Sequence, residues 1–179
     1  MRNLARTSEF HSWFAGSKIV DAEGSPLVVF HGTKSSFEEF RSKNRNPDIG
    51  FHFGDISQAE HFAGFNAHGL TPVGGNIVPV YLRITNPLNV PDVFGGEQSN
   101  IEAFACYLYA KGIIDAANRD RAVYAHTIGN GWRMLIKALK TRGYDGLIYR
   151  NEYEGDLKGE NLCYVVFDSR QIKSLFDGT

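Results

Sequence analysis

Asp145-Gly146-Leu147-Ile148-Tyr149 and Leu162-Cys163-Tyr164-Val165-Val166-Phe167-Asp168 are two runs rich in β-branched, aromatic and aliphatic residues. Between them lies Arg150–Asn161, polar and glycine-containing. The pattern reads as two buried strands joined by a loop, and Gln171–Leu175 adds a short third strand. What precedes them is different. Glu97 to Arg142 is helical in pattern: Ile101 to Lys111 spaces Phe104, Tyr107 and Leu108 as an apolar stripe. Gly129 to Arg142 does the same with Trp132, Leu135, Ile136 and Leu139, and Gly143 serves as its C-cap.

Strand-like sequence recurs toward the N-terminus. Asn76–Thr85 alternates through Ile77, Val78, Val80, Leu82 and Ile84, and Asn86-Pro87 ends it. Gly50-Phe51-His52-Phe53-Gly54 is a short strand bounded by glycines, followed by a helix from Ser57 to Phe65 with Asp55 or Ser57 as N-cap. Lys18–Asp21 and Pro26–His31 read as a hairpin around Ala22-Glu23-Gly24-Ser25, with Val28-Val29-Phe30 as a buried strand. Phe10–Gly16 forms a short amphipathic helix with Phe10, Trp13 and Phe14 on one side. Strands at both ends with helices inserted between them predict an α+β fold rather than a doubly wound parallel sheet.

The chain has 179 residues and a net charge of -1, with 42% hydrophobic and 22% charged residues. That length suits one domain burying about 70% of its unfolded surface. The composition excludes a disordered, collagen-like or disulfide-scaffold chain, and the balanced charge leaves no electrostatic footprint for nucleic acid or an anionic membrane. No signal peptide or membrane-length apolar run is visible, so the expected compartment is the cytoplasm. Cys106 and Cys163 are far apart, show no metal spacing, and read as two buried thiols.

Few residues stand out for chemistry. His31 ends a buried strand and is followed by Gly32 and Thr33; a histidine so placed faces a cleft or satisfies itself in a strand-to-loop turn. Gly32 lets a ligand approach the backbone closely. His52 projects away from Phe51 and Phe53. His61 and His68 are the nearest approach to a metal pair and lack the spacing of a helical zinc site, so no metal is expected. The loop Asn151-Glu152-Tyr153-Glu154-Gly155 offers carboxylates between two strands, with Glu160 as a rival. There is no Gly-x-Ser-x-Gly, phosphate-binding loop or dinucleotide fingerprint.

Taken together, four segments are distinctive. Phe10 to Thr33 resembles the opening of the ADP-ribosyltransferase domains found in phage and mobile-element polyvalent proteins. Gly50-Phe51-His52-Phe53-Gly54-Asp55 with Gln58-Ala59 resembles their second motif. Gly143 to Gly155 and Tyr164 to Ser174 resemble their closing segments. The resemblance implies a single domain over residues 1–179, folded as a split β-sandwich with inserted helices. It implies NAD as the substrate, transfer of ADP-ribose to a macromolecular target, effector or toxin activity in a cytoplasm, and no membrane partner; a protein target is favoured over nucleic acid.

That family is similar to the diphtheria-toxin and poly(ADP-ribose) polymerase class, whose triad is His, Tyr, Glu. By position, His31 would hold the adenosine ribose and Gly32 the nicotinamide amide, with Thr33 beside them. His52, next to Phe53, falls where the class keeps tyrosine. Phe62 or His61 is the second stacking residue, and Glu154 the catalytic acid, ahead of Glu160 and Glu152. Histidine in place of tyrosine also supports another reading, an inactive module kept for binding or virion packaging.

Overall fold

The computed structural model describes residues 5, 7–37, 39–41, 48–65, 75–93, 100–152 and 160–175. Among them are helices α1 (Ser8–Phe14), α2 (Ile56–Ala63), α3 (Ile101–Ala110), α4 (Ala116–His126) and α5 (Gly131–Thr141). The strands are β1 (Val29–Thr33), β2 (Phe51–Phe53), β3 (Asn76–Leu82), β4 (Pro87–Asn89), β5 (Gly146–Arg150), β6 (Leu162–Val166) and β7 (Ile172–Ser174). They form two sheets, ordered β1-β3-β7 and β2-β6-β5-β4. Every pairing is antiparallel except β4 with β5. The fold is α+β with a helical insertion, as the sequence pattern predicts.

Alternation along the strands builds two cores. Val29, Val80 and Leu82 from the first sheet, with Ile84 just beyond it, meet Phe53, Tyr164 and Val166 from the second. The other face of the second sheet presents Leu147, Tyr149, Cys163 and Val165 to Phe104, Leu108, Trp132, Leu135 and Leu139 of the helices. The layers are therefore sheet, sheet and helices. Helix α1 packs outside the first sheet: Phe10 stacks on Phe14 at 5.4 Å and meets Tyr81 edge-on at 4.8 Å.

Several boundaries differ from the sequence reading for identifiable reasons. Pro87 lies beyond the end of β3, as expected, and also opens a further strand: β4 is an edge strand, where a missing N–H interrupts no ladder. Helix α4 has no apolar stripe to announce it, because it buries only Ala122 and Ala125; Asp115 caps it by accepting from the Asn118 N–H at 2.6 Å. The hairpin before β1 is reduced to the Val20–Pro26 bridge, since Asp21 closes the turn with its own carboxylate and β1 pairs with β3 instead. Cys163 is buried as expected, but Cys106 lies exposed on α3.

Pro79 sits in the central strand of its sheet, where proline normally breaks a ladder. Its register partner is Phe30, whose N–H and C=O both go to Gly54, at 2.9 and 3.0 Å. Phe30 asks nothing of Pro79, and the Pro79 carbonyl accepts from the Leu175 N–H.

One side chain braces the corner between the sheets. The Asp145 carboxylate accepts from the Thr85 N–H at 2.8 Å, the Thr85 hydroxyl at 2.7 Å and the Asn86 N–H at 2.8 Å. Asp145→Ala strands these donors and should destabilise the fold by about 2–3 kcal/mol. Urea denaturation measures this; a loss under about 0.5 kcal/mol would show that water replaces the carboxylate.

Candidate active site

The site begins where the sheets part. Phe30 of β1 and Gly54, the residue after β2, exchange two backbone hydrogen bonds, an isolated bridge between the two sheets among the described residues. In an antiparallel ladder the next rung would pair Gly32 with His52. That rung does not form. The His52 carbonyl accepts instead from the His31 ring, Nδ1 to O, at 2.8 Å. A carbonyl has no proton to give, so His31 carries its proton on Nδ1 and offers Nε2 as an acceptor. The imidazole is thus a wedge at the split. Gly32 has the same phase as Phe30, so its N–H and C=O point away from β3, to the side where β2 has parted.

Gly32 has a second constraint. A Cβ there would run into the Ala59 carbonyl oxygen and stand 2.7 Å from its carbon. The glycine is needed for α2 to lie against β1, and the close approach expected of a ligand is made on this face by helix backbone. The Thr33 hydroxyl closes the following turn, accepting from the Ser35 N–H at 3.2 Å.

The His31 ring packs against Phe37, Phe40 and Phe53, at centroid distances of 5.9, 5.3 and 5.5 Å. This burial lowers its pKa below 6.5, outweighing the opposing effect of the His52 carbonyl; the nearby His52 ring lowers it further. Phe37 and Phe40 also line a cavity of about 870 Å³, together with Arg41, Val78, Phe167 and Arg170.

The His52 side chain leaves β2 on the other face, toward the helical layer. Its Nδ1 lies 3.2 Å from the Tyr149 hydroxyl and its Nε2 3.2 Å from Asp48 Oδ1. The Asp48 contact is an ion-pair approach rather than an aligned hydrogen bond. The two histidines therefore flank the His52 backbone, sharing its carbonyl but not a common ring environment.

Helix α2 supplies the next wall. Its capping box pairs Asp55 with Gln58. Gln58 is buried and donates from Nε2 to the Asn161 carbonyl at 3.3 Å. The same carbonyl accepts from the Asn151 N–H at 2.8 Å, closing the base of the β5–β6 loop. Asn161 has φ +45°, a left-handed conformation that asparagine tolerates better than most residues. Gln58, Asn151 and Asn161 are the buried polar residues among those described, and all three meet here. Farther along α2, Phe62 is 48% exposed and touches His61 edge-on at 5.5 Å.

Of the candidate acids, Glu154 lies outside the described residues. Glu152 donates its N–H to Asp92 at 3.0 Å. Glu160 is exposed, yet its charge adds to the burial that raises the Tyr164 pKa, so it lies within reach of the inter-sheet face. His68 also lies outside the described residues. Among those described, no group of three or more His, Cys, Asp or Glu could hold a metal ion, and no helix is long and apolar enough to cross a membrane. Asp48, Tyr149, Gln58, Asn151 and Asn161 were not singled out as functional by sequence. Gln58 and Asn151 stood there only as members of motif segments; which partners all five residues meet depends on strand pairing.

Comparison with known proteins gives one family. The profile described as "ADP-Ribosyltransferase in polyvalent proteins" matches residues 21–179. No curated protein matches the chain. Among solved structures, one titled "Crystal structure of an anti-CRISPR protein" aligns with 83% of this chain and 94% of its own, at 13% identity and a TM-score of 0.35.

His31 makes stability depend on pH in a stated direction. Its folded pKa lies below the 6.5 of an ordinary histidine, so its contribution is complete above 6.5. As pH falls from there, the unfolded chain takes a proton that the folded state resists, and stability declines toward the folded pKa. Between about pH 7 and pH 5, the urea midpoint should fall more for wild type than for His31→Gln. Equal falls would show that His31 titrates alike in both states.

Proposed function

Because the chain belongs to the family of ADP-ribosyltransferases in polyvalent proteins, we propose that it is an NAD-dependent mono-ADP-ribosyltransferase. It breaks the nicotinamide N-glycosidic bond and passes ADP-ribose to a macromolecular target, a protein, as an effector of a phage or mobile element acting in a cytoplasm. The observation that carries this reading is the split at Gly32. The N–H and C=O of this one residue point away from β3 to the side where β2 has parted, a matched donor and acceptor for a primary carboxamide such as that of nicotinamide. His31, neutral and with Nε2 as its acceptor, suits a ribose hydroxyl.

The remaining roles follow from what the reaction needs. Cleavage builds positive charge on the ribose, as glycoside hydrolysis does, while nicotinamide leaves neutral with the bonding electron pair. A carboxylate held near that ribose stabilises the developing cation. Glu154 is assigned this role, on a loop whose base is fixed by Asn151, Asn161 and Gln58. His52 and Phe62 are assigned as stacking groups, with His61 edge-on to Phe62; Thr33 shapes the turn after His31, and Phe53 backs the His31 ring. A second reading, an NAD-binding module without turnover, is favoured by histidine at position 52.

The test is nicotinamide release at saturating NAD from the wild type and from Glu154→Gln, Glu160→Gln and Glu152→Gln. Glu154→Gln should lower the rate about 10²–10³-fold with NAD affinity within a fewfold of wild type, since the charge acts on the transition state. A dead Glu160→Gln beside an active Glu154→Gln moves the acid to Glu160. A wild type that binds NAD and releases no nicotinamide supports the module instead. His31→Ala should weaken NAD binding about tenfold to a hundredfold by calorimetry, and unchanged affinity would return His31 to the core.

A further inference from the structure

We propose that Asp48 and Tyr149 are positioning residues for this reaction. They hold the His52 imidazole by its two ring nitrogens, in one tautomer and one plane, so that it meets NAD as a neutral ring face. The proposal rests on the NAD reading above and concerns residues that the sequence did not single out.

Both partners are themselves fixed. The Asp48 carboxylate accepts from the Ile49 N–H at 2.7 Å, and the Ile49 side chain is fully buried in the helical core. Tyr149 belongs to β5, its ring in the same core. The sheet order β2-β6-β5 means that Tyr149 reaches His52 across β6, over the face carrying Cys163 and Val165. Phenol and carboxylate thus approach the imidazole from different elements, which leaves the ring little freedom to rotate.

Their chemistry fixes the tautomer. An ionised carboxylate beside Nε2 favours the proton on that nitrogen. Nδ1 is then an acceptor and takes the Tyr149 hydroxyl proton. His31 has the opposite arrangement, with its proton on Nδ1. With Nδ1 bonded to the Tyr149 hydroxyl and Nε2 buried beside the Asp48 carboxylate, what the ring offers a ligand is its face. A neutral face stacks on the cationic nicotinamide ring; a protonated one repels it.

Asp48 also tilts the balance between these states, because its charge stabilises the protonated imidazole. The other titratable groups that act on His52 include Tyr149 on β5 and His31 on β1. Beside these groups, Asp48 supplies the negative charge next to the ring at neutral pH. NAD binding should therefore weaken on the acid side, at a pH set by Asp48.

The experiment uses the full chain, ¹⁵N-labelled on histidine, with NAD as the probe. Nitrogen shifts report tautomer and titration directly, and calorimetry with nicotinamide release reports function from about pH 5 to pH 8. Wild-type His52 should show the Nε2–H tautomer and His31 the Nδ1–H tautomer. Asp48→Asn should move the His52 midpoint, and with it the acid limb of NAD binding, about one unit lower. Tyr149→Phe should raise KM for NAD about three- to tenfold, with kcat within about twofold.

A His52 proton on Nδ1, or variants with wild-type tautomer, midpoint and KM, would overturn the proposal while wild-type turnover still upheld the enzyme reading. A wild type that neither binds nor cleaves NAD overturns the NAD reading itself and, with it, the role of the clamp. The histidine spectrum of each variant distinguishes a local change from a lost fold.

Discussion

The architecture turns on a hydrogen bond that takes the place of a ladder rung. Phe30 and Gly54 begin to join β1 to β2, and the next residue of β1 stops them. The His31 imidazole claims the His52 carbonyl that Gly32 would otherwise have used. From that point β2 pairs only with β6, β1 pairs with β3, and the sheets separate. A wedge of this kind opens a cleft without leaving a buried carbonyl unpaired, which would cost about 1–3 kcal/mol. It also leaves the N–H and C=O of Gly32 directed away from β3, on the side where β2 has parted.

The surroundings stabilise that arrangement from both sides. Phe37, Phe40 and Phe53 exclude water from the His31 ring and keep it neutral, so it bonds through one nitrogen and accepts through the other. Opposite, Gly32 and Gly54 let α2 settle close: a Cβ at Gly32 would strike Ala59, and one at Gly54 would strike the Gln58 side chain. Gln58 then carries the constraint onward to Asn161 and the base of the β5–β6 loop. Strand, helix and loop are thereby tied through buried polar groups whose geometry tolerates little displacement.

The helical layer has a different task. It covers the face of the second sheet that would otherwise expose Leu147, Tyr149 and Val165. In doing so it fixes the Tyr149 ring, whose hydroxyl reaches His52 at 3.2 Å. A core built for stability thus also orients a polar atom at the site. The Asp145 brace at the Thr85–Asn86 corner keeps β5 in register with β4, and so sets where Tyr149 lies.

Much of this was legible in the residues. Alternation in Asn76–Thr85 and Leu162–Asp168 marked strands, the stripes of α3 and α5 marked helices, and the four motif segments marked the family, because each signal is local. His31, Gly32 and His52 stood out for the same reason. What the sequence could not express is which backbone group each side chain would meet. Whether Gly32 makes room for a ligand or for Ala59, or whether His52 finds Asp48 and Tyr149, depends on residues brought together across three strands. Local pattern determined the elements and the family. Tertiary pairing alone decided the wedge, the clamp and the polar base of the loop, because hydrogen-bond partners distant in sequence are chosen by sheet order and register.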